Sequence, residues 1–568
     1  MSRRKVVSHG GRGDASRACS GDWDRLPAVS VAAMMYCLGI VATLLLAAPP
    51  AFAQGQSERF DIDQFRIEGN TLLKPDEIET VLKPFTGKQR GYADVQRGIE
   101  ALRQHYRRGG YSVVWVLAPE QDLDRGVVTL RVVEARIGKI TIAGNRFFDE
   151  ANIRSSLPAL AEGVAPRAGD ISANAQLANE NPAKQVDVVL RPGARPEVVD
   201  ASIDVIDVHP LKAFLTFDNT GNRQTGDFRL GVGVQDANLF NRDDVGTFNY
   251  VTSPEKANQV SLYSASYRLP LYAWGDSLDF IAAYSDVSAG TAQTVAGPLS
   301  FSGRGTVFGL RYNQLLERRG EYSQRIVYGI DYRAYKNDCA LGAFGAAGCG
   351  PAAVDVTVRP VSVAYSGNWT QPGRISDFYV ALSRNLPGAD HGRDSDFNLA
   401  RPSPNGGDGA PADYAILRLG ASLVNAFENN WQVRAAFNAQ YTTEALVTGE
   451  QFGIAGATAV RGFPEREIVR DSGYVANLEL YSPNLAGKLI PGEGNLRGLV
   501  FYDFAAAGNN PLAGEARQRS SIASLGAGLR WNIQRNFNLR FDLARVIDAG
   551  GSKESGDLRV HVSVYYGF

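Results

Sequence analysis

The sequence predicts a mainly β protein: a transmembrane antiparallel β-barrel of about sixteen strands, preceded by two small α+β modules. Three observations lead to this fold class. A β-α-α-β-β pattern occurs twice before residue 209, short alternating segments separated by turn residues fill the rest of the chain, and one apolar stretch precedes both. The predicted boundaries are 1–53 for a signal peptide, 58–135 and 136–208 for modules 1 and 2, and 209–568 for the barrel.

The apolar stretch Val29–Ala48 is predicted to be the core of a signal peptide. Basic residues precede it, and Ala51-Phe52-Ala53 follows it as a small-x-small cleavage site. A retained membrane anchor is the alternative. No later run approaches the ~20 apolar residues that a spanning helix needs, so a barrel is the expected way into a membrane. Because only Gln54–Arg59 separate the cleavage site from the first strand, we expect no N-terminal plug helix.

Composition and motifs exclude several classes of function. The formal net charge is −1 over 568 residues, whereas a nucleic-acid-binding protein concentrates Lys and Arg on one face. No phosphate loop, Gly-x-Ser-x-Gly or His-Glu-x-x-His motif occurs, so we predict no enzyme, no cofactor and no metal site. Cys339 and Cys349 lie in a Gly/Ala-rich segment. In an exported protein they are predicted to form a loop disulfide, with two free thiols as the alternative.

Each module begins with the same short motif. Residues Phe65–Asn70 read Phe-Arg-Ile-Glu-Gly-Asn, and residues Ile140–Asn145 read Ile-Thr-Ile-Ala-Gly-Asn. In both copies an alternating strand leads into a Gly-Asn turn, and a short helix follows, predicted at Lys74–Leu82 and at Asp149–Leu157. The repeat therefore predicts two copies of one fold.

A longer amphipathic helix follows in module 1. Its apolar residues recur at helical spacing on one face: Val95, Ile99, Leu102 and Tyr106. Two strands then close each module, predicted at Ser112–Leu117 and Gly126–Val133 in module 1 and at Lys184–Leu190 and Ala201–Val208 in module 2.

From residue 209 onward, helical periodicity gives way to strict alternation. In one segment the apolar side chains share one face and the charged ones the other: Ile326, Tyr328, Ile330 and Tyr332 against Arg325, Asp331 and Arg333. Charges on one face suit a water-filled lumen and would be costly in a dry core. Frequent Tyr near strand ends indicates an interfacial girdle. A soluble β-sandwich also alternates and is the alternative. Two segments without alternation, 338–353 and 387–412, are predicted to be long external loops.

Two segments of the barrel region are candidates for a functional site. The first is a glycine-flanked loop containing Val460, Arg461, Gly462 and Phe463. A solvated surface arginine is the alternative interpretation of that loop. The second is the strand Leu499–Phe504, on which Phe501 and Asp503 share one face. If the other face meets lipid, Asp503 points into the lumen, where a buried carboxylate needs a cation.

These motifs together resemble a known family. The modules resemble polypeptide-transport-associated (POTRA) domains. Val460–Phe463 is similar to the Val-Arg-Gly-Tyr/Phe loop of the barrel-assembly and protein-secretion superfamily, and Phe501-x-Asp503 is similar to its partner motif on a late barrel strand. With two modules and a predicted sixteen-stranded barrel, residues 60–568 resemble the transporter of two-partner (type Vb) secretion, the haemolysin/haemagglutinin secretion-activation family.

The resemblance implies an outer-membrane transporter of a Gram-negative bacterium with periplasmic modules. It implies a partner exoprotein whose N-terminal secretion domain adds a strand to an exposed module edge beside the second helix. The apolar helix face is the expected contact: Val95, Ile99, Leu102 and Tyr106. The exoprotein would then cross the lumen of the barrel unfolded and fold outside. No ATP site is present in the sequence, so we expect folding at the cell surface to drive export.

The resemblance also assigns roles to single residues. It implies that Arg461 pairs with Asp503 in the lumen, and that the terminal Phe568 is the signal read by the barrel assembly machinery when the chain enters the lipid bilayer. A factor that inserts other outer-membrane proteins is the first alternative function, and it would be expected to carry more than two modules. A passive porin and a surface enzyme are the others.

Overall fold

The computed structural model describes residues 59–122, 126–223, 225–286, 290–294, 297–301, 304–336, 351, 354–487, 494–534 and 536–568. The predicted signal peptide, the expectation about a plug helix and the predicted disulfide between Cys339 and Cys349 all fall outside these residues.

Within the described residues the chain has five α-helices and two groups of strands. The helices are α1 Pro75–Leu82, α2 Tyr92–Arg108, α3 Glu150–Ser155, α4 Ala168–Ala178 and α5 Asp394–Ala400. The first eight strands belong to the modules: β1 Arg59–Ile62, β2 Gln64–Glu68, β3 Gly87–Gly91, β4 Val114–Leu117, β5 Val127–Glu134, β6 Arg136–Ala143, β7 Lys184–Pro192 and β8 Val198–Asp207. None of the helices among the described residues is both long and apolar enough to cross a membrane.

The remaining strands belong to the barrel and its loops. They are β9 Leu211–Asp218, β10 Arg229–Asp236, β11 Val245–Thr252, β12 Ser261–Leu271, β13 Asp276–Asp286, β14 Gly290–Thr294, β15 Gly297–Phe301, β16 Arg304–Arg319, β17 Tyr322–Lys336, β18 Val356–Val358, β19 Pro360–Gln371, β20 Arg374–Asn385, β21 Ala415–Ala426, β22 Gln432–Tyr441, β23 Phe452–Gly453, β24 Val469–Arg470, β25 Ser472–Tyr481, β26 Asn495–Gly508, β27 Arg519–Ile533, β28 Phe537–Asp548 and β29 Leu558–Gly567.

The two modules have the same sheet. Three strands pair in the order β2-β5-β4 in module 1 and β6-β8-β7 in module 2, with the first strand parallel to the central one in each. The Gly-Asn turn after the first strand requires glycine in both copies. Gly69 and Gly144 have φ of 85° and 90°, and a Cβ on either would lie 2.3 Å from a carbonyl oxygen of the central strand.

Helix α2 forms because one face of it is apolar and both of its ends are capped. The Asp94 carboxylate accepts a hydrogen bond from the backbone N–H of Gly91 before the first turn, and the basic residues His105, Arg107 and Arg108 lie in the last turn. Its apolar face packs on the sheet in the core of module 1.

The barrel closes as predicted. Counting β18 and β19 as one strand interrupted at Arg359, sixteen antiparallel strands run from β9 to β29, and β29 pairs back onto β9. The terminal Phe568 takes part in the closure, because its backbone exchanges two hydrogen bonds with Ala213, of 2.9 and 3.0 Å. The predicted mainly β fold, a sixteen-stranded barrel preceded by two α+β modules, is confirmed.

The two faces of the barrel wall differ as the alternation predicted. Tyr328, Ile330 and Tyr332 point outward and are exposed, whereas Asp331 points inward and is buried between Arg311 and Arg333. Large outward apolar side chains continue around the wall, which gives the barrel a lipid-facing surface and a polar lumen.

Two long connections lie at the end of the barrel opposite the modules. Strand direction alternates from Leu211, so the segments 386–414 and 442–471 lie at the end opposite the modules. The first of these includes 387–412, which was predicted to be a long external loop, and it contains helix α5. Phe397, Ala410 and Ala412 are fully buried in a core shared with Leu446, so the segment is a folded cap.

Module 2 is fixed to the barrel by a buried polar contact. The Lys184 ammonium lies 2.5 Å from Asp243 in the turn between β10 and β11 and 3.0 Å from Asn152. Tyr272, in the next turn at this end, donates its hydroxyl to the same Asp243 at 2.5 Å. Both charged side chains are buried, so the contact is an internal part of the fold.

Candidate functional site in the barrel lumen

The connection between β22 and β25 folds back into the lumen. Its two short strands, β23 and β24, pair with each other. Val460 and Phe463 are buried in a cluster with Ile522 and Val546, which belong to the barrel wall. Residues 451–468 of this connection, called the lumenal loop from here on, are therefore packed against the inside of the wall.

The Arg461 guanidinium is held by Asp503 of β26. Its Nε and Nη2 donate to the two carboxylate oxygens of Asp503, each at 2.7 Å, and its backbone N–H donates to the same carboxylate at 3.1 Å. Arg461 is 2% exposed and Asp503 is fully buried. The geometry is the two-pronged one that a guanidinium forms and an ammonium cannot reproduce.

Three further groups surround the guanidinium. Glu479 of β25 lies 2.9 Å from Nη2, and Asp542 of β28 lies 3.5 Å from Nη1. The ring of Phe501 lies 3.5 Å from the guanidinium carbon, a cation–π contact on the face that carboxylates do not occupy. The lumenal loop thus carries one cation into a pocket whose walls supply three carboxylates and an aromatic face.

The backbone on either side of Arg461 is also bound. The Asn477 amide on β25 donates to the Ala459 carbonyl and to Asp503, both at 2.8 Å. The Gly462 N–H donates to Nε2 of His561 on β29 at 2.9 Å, so that nitrogen carries no proton. Gly462 has φ of 100°, which a side chain would strain. The loop is therefore fixed by its main chain as well as by its charge.

Sequence reasoning singled out Arg461, Phe501 and Asp503, and the structure brings these three together. It missed Asn477, Glu479, Asp542 and His561, which complete the pocket. The alternation of the strands does contain information about the missed residues, because each lies on the lumen-facing side of its strand. Asn477 pairs with Asp503 across β25 and β26, and Asp542 pairs with His561 across β28 and β29. The sequence alone does not show which strands become neighbours.

Comparison with known proteins decides the family. The profile of the haemolysin secretion/activation proteins ShlB/FhaC/HecB matches residues 202–531, more than half of the chain. The chain belongs to this family. A second profile, the ShlB-type POTRA domain, matches residues 60–135.

Individual relatives agree with this family. The outer membrane transporter CdiB of Dickeya dadantii (strain 3937) is 23% identical over 480 residues, which are 83% of this chain and 80% of that protein. The heme/hemopexin transporter protein HuxB of Haemophilus influenzae (strain 86-028NP) is 19% identical over 524 residues, 88% of this chain and 86% of that protein. The structure of CdiB from Escherichia coli has the same fold, with a TM-score of 0.69 and 18% identity over 96% of this chain and 100% of that one.

ShlB/FhaC/HecB proteins are transporters of the outer membrane with periplasmic POTRA domains. In this member the barrel spans the outer membrane, the modules lie in the periplasm, and the folded cap lies at the cell surface. The lumenal loop therefore enters the lumen from the cell-surface side.

Arg401 joins the folded cap to the connection that carries the lumenal loop. It donates to Asp471, between β24 and β25, at 2.6 Å and to the Leu446 carbonyl at 2.8 Å. Its other nitrogen lies 3.1 Å from Glu515 in the connection between β26 and β27. Three connections at the surface end of this transporter thus meet at a single guanidinium.

The predicted exoprotein contact on helix α2 is corrected by the structure. Val95, Ile99, Leu102 and Tyr106 form the core of module 1, and the Tyr106 hydroxyl is bound inside it by Asn70 and Glu134. Buried side chains do not touch a partner. The apolar stripe on α2 stabilises the POTRA domain of this ShlB/FhaC/HecB protein, and a partner-binding surface must be sought elsewhere.

Proposed function

We propose that this transporter recognises a partner exoprotein in the periplasm through its modules and passes it unfolded through the barrel to the cell surface. Membership of the family indicates that the protein is an outer-membrane transporter. The observation that carries the finer proposal is the buried Arg461–Asp503 pair, which holds the lumenal loop against the inside of the barrel wall.

A buried ion pair of this kind holds the two segments that carry it in one conformation. Replacing it by well-packed apolar residues is often neutral or stabilising, so stability alone does not explain its presence. Removing one partner leaves an uncompensated charge and costs about 3–5 kcal/mol. The pair therefore fixes the lumenal loop in one position, and transport requires that position.

Arg461→Ala and Asp503→Asn are expected to abolish or sharply reduce secretion while the barrel still inserts. Arg461→Lys should fail as well, because lysine cannot form the two-pronged contact. The double variant should be no worse than either single one, since both remove one interaction. Exoprotein in the medium and heat-modifiable mobility of the barrel are the two measurements.

The matched control is Arg384→Ala. Arg384 and Asp413 form the same type of pair, with distances of 2.6 and 2.8 Å, but their side chains are 64% and 48% exposed on the cap. An exposed pair contributes about 0–1 kcal/mol, so this variant should secrete normally. Normal secretion by Arg461→Ala as well would remove the role proposed for the lumenal loop.

For recognition, the edge strand β4 replaces the buried face of α2 as the contact. Among the described strands, β4 pairs on one side only, and its side chains Trp115 and Leu117 are exposed. Both line a groove of about 460 Å³ that continues along 192–198 of module 2. An extended segment of the exoprotein can pair with the free edge and place apolar side chains in this groove.

Trp115→Lys tests this contact. We expect less exoprotein retained by the modules and less in the medium, with the barrel intact. Tyr92→Lys is the control, because Tyr92 is an exposed aromatic of the same module at the start of α2, away from β4. Equal loss in both variants would indicate a nonspecific effect on module 1.

A further inference from the structure

The lumen of this barrel is not lined evenly. Alternation along paired strands identifies the lumenal face: Ser422 pairs with Ala436, Ala436 with Asn477, and Asn477 with Asp503. All side chains in this register point to the same side as Asp503, which the lumenal loop contacts. The lumenal face can therefore be followed around the wall and compared strand by strand.

Two sectors of the lumenal face are covered. On β25–β29 the lumenal loop buries Asp503, Ser524 and His561. On β9–β13 the lumenal side chains Asn249 and Ser285 are also buried. Neither sector offers free surface to a passing chain in this conformation.

Between these two sectors, β16 and β17 carry the charged lumenal side chains Arg311, Asp331 and Arg333. The sector on β19–β22 is open. Its lumenal side chains line a cavity of about 460 Å³ together with Gln176 of α4 at the periplasmic end. We call it the open wall, defined by Ser366, Asn368, Asp377, Tyr379, Ser422 and Asn438. Most of these side chains are small and uncharged, and their one carboxylate, Asp377, accepts a hydrogen bond from Ser422 at 2.6 Å. The cavity lining also contains two arginines, Arg325 and Arg434, each paired with a carboxylate, Glu180 and Glu479.

We propose that the open wall is the surface along which the translocating exoprotein moves through the barrel as an extended, unfolded chain. The inference rests on the proposed secretion function and adds the path. The chain enters beside Gln176, between α4 of module 2 and the wall, and continues over β19–β22, next to the sector that the lumenal loop covers.

The chemistry of the open wall fits such a partner. A conducting surface must bind its cargo weakly enough to release it at every step. Serine and asparagine offer hydrogen bonds to any peptide group without selecting a sequence, and they leave room for large side chains. The covered sector behaves in the opposite way, because its carboxylates hold one arginine in a single position.

Photo-crosslinking at two matched aromatic positions tests the path. Tyr379 on β20 and Phe214 on β9 both face the lumen, and each ring lies over a glycine of the next strand, Gly420 and Gly233. They differ in exposure, 38% for Tyr379 and 6% for Phe214. Each is replaced by benzoylphenylalanine in the full chain, which is coexpressed with the secreted protein encoded beside its gene and illuminated during secretion.

We expect an adduct with the exoprotein at Tyr379 at least tenfold stronger than at Phe214, and a second one at Asn438. The buried Asn249 on β11 is the matched control for Asn438. Equal adducts on both walls, or none on the open wall while exoprotein reaches the medium, would overturn the path and leave the proposed function standing. Absence of exoprotein from the medium of wild-type cells would instead refute the secretion function on which the path rests.

Discussion

The two modules share one framework and differ in what holds them in place. In each, the Gly-Asn turn is closed by an acid at the end of the last strand. Glu134 accepts hydrogen bonds from the backbone N–H groups of Thr71 and Leu72, at 2.9 and 3.1 Å. Asp207 does the same for the three residues after Asn145, at 2.8 to 3.1 Å. The repeated motif therefore reflects a repeated turn and a repeated acceptor.

The second helix shows the difference. In module 1, α2 has 17 residues and packs on α1 and on the sheet of its own module. Contacts of module 1 with module 2 include the backbone bridge between Tyr111 and Arg167 and a hydrogen bond of 3.1 Å from the Ala168 N–H to the Gly110 carbonyl. In module 2, α4 has 11 residues and packs at the mouth of the barrel, where Asn174 donates to the Tyr272 carbonyl at 2.9 Å. A domain held mainly by its own core is freer to move as a body than one that shares buried polar groups with the barrel. We therefore expect module 1 to move more than module 2.

The largest loss of local stability is expected from Lys184→Met, which leaves Asp243 buried and without its cation. Such a loss costs about 3–5 kcal/mol. Burial lowers the pKa of Lys184, and the neighbouring Asp243 carboxylate opposes that shift. Hydrogen exchange of the full-length protein in detergent should accelerate in 181–184 and in 237–244.

Lys88→Met is the control for that measurement, since Lys88 is exposed on module 1. Unchanged exchange in the Lys184→Met protein would contradict the view that module 2 is fixed by this contact. Restoration of protection by adding Asp243→Leu would instead strengthen it, because both buried charges would then be gone.

Truncation of one core leucine in each module should separate their behaviour. Leu102→Ala in α2 and Leu177→Ala in α4 each remove a buried side chain and cost about 2–4 kcal/mol locally. Module 1 should open as a unit, because its own core supplies most of what holds it. Module 2 should open less, because its barrel contacts remain. Proteolysis of the purified protein at each module measures the difference, and equal opening of both would remove the distinction.

Replacing the closing acids should have a smaller, pH-dependent effect. Burial raises the pKa of Asp207, but the backbone N–H groups of Phe148, Arg146 and Phe147 outweigh it, and the net pKa is lowered. A group whose pKa is lower in the folded state stabilises the fold at pH values above its unfolded pKa. This stabilisation is lost as the pH falls through the folded pKa. Wild-type module 2 should therefore lose part of its protection as the pH falls below the ordinary aspartate range of about 4. The loss should be small, because the half-buried Asp207 is partly screened by solvent.

Asp207→Asn tests the origin of that loss. The variant should be less stable at neutral pH and should lack the part of the acid response that Asp207 supplies. Hydrogen exchange in residues 145–148 at several pH values follows it. An acid response identical to that of the wild type would place its source in another group.

The smallest effect is expected at the contact between the modules. Arg167 lies 5.9 Å from the ring centre of Tyr111 and pairs with the exposed Asp170 at 3.1 Å, which together contribute less than about 1 kcal/mol. Arg167→Ala should leave the stability of both modules unchanged but broaden the distribution of distances between spin labels on them. Arg108→Ala, at an exposed residue, is the control. No broadening would show that the two modules move together.

Local patterns predicted the architecture because the barrel and the modules repeat short periods. Alternation in the segment around Tyr328 and Asp331 was sufficient to place one side chain in lipid and the other in the lumen. The folded cap was missed because α5 lies in a segment rich in Gly, Pro and Asp, where packing against distant Leu446 and Val358 stabilises the helix more than its own sequence does.

The site was predictable only where residues close in sequence carry it. Arg461 and Asp503 stand in two short motifs, but Glu479 and His561 reach the same guanidinium or its loop from other strands. Pairing between distant strands is a property of the closed sheet, and no spacing in the sequence reports it. The apolar face of α2 was detected correctly and interpreted wrongly, since an apolar face on an amphipathic helix is usually covered by the sheet of its own domain.

The closing acids have a consequence for how such proteins change over generations. Each module takes its acceptor from its own last strand, so a copied module brings everything that its turn requires. Duplication of this unit therefore yields a second domain that folds without compensating changes in the first. Only residues such as Lys184, at the junction with the barrel, need to diverge afterwards. The turn itself therefore sets no limit on the number of such domains, whereas the contacts at the junction tie the last one to the barrel.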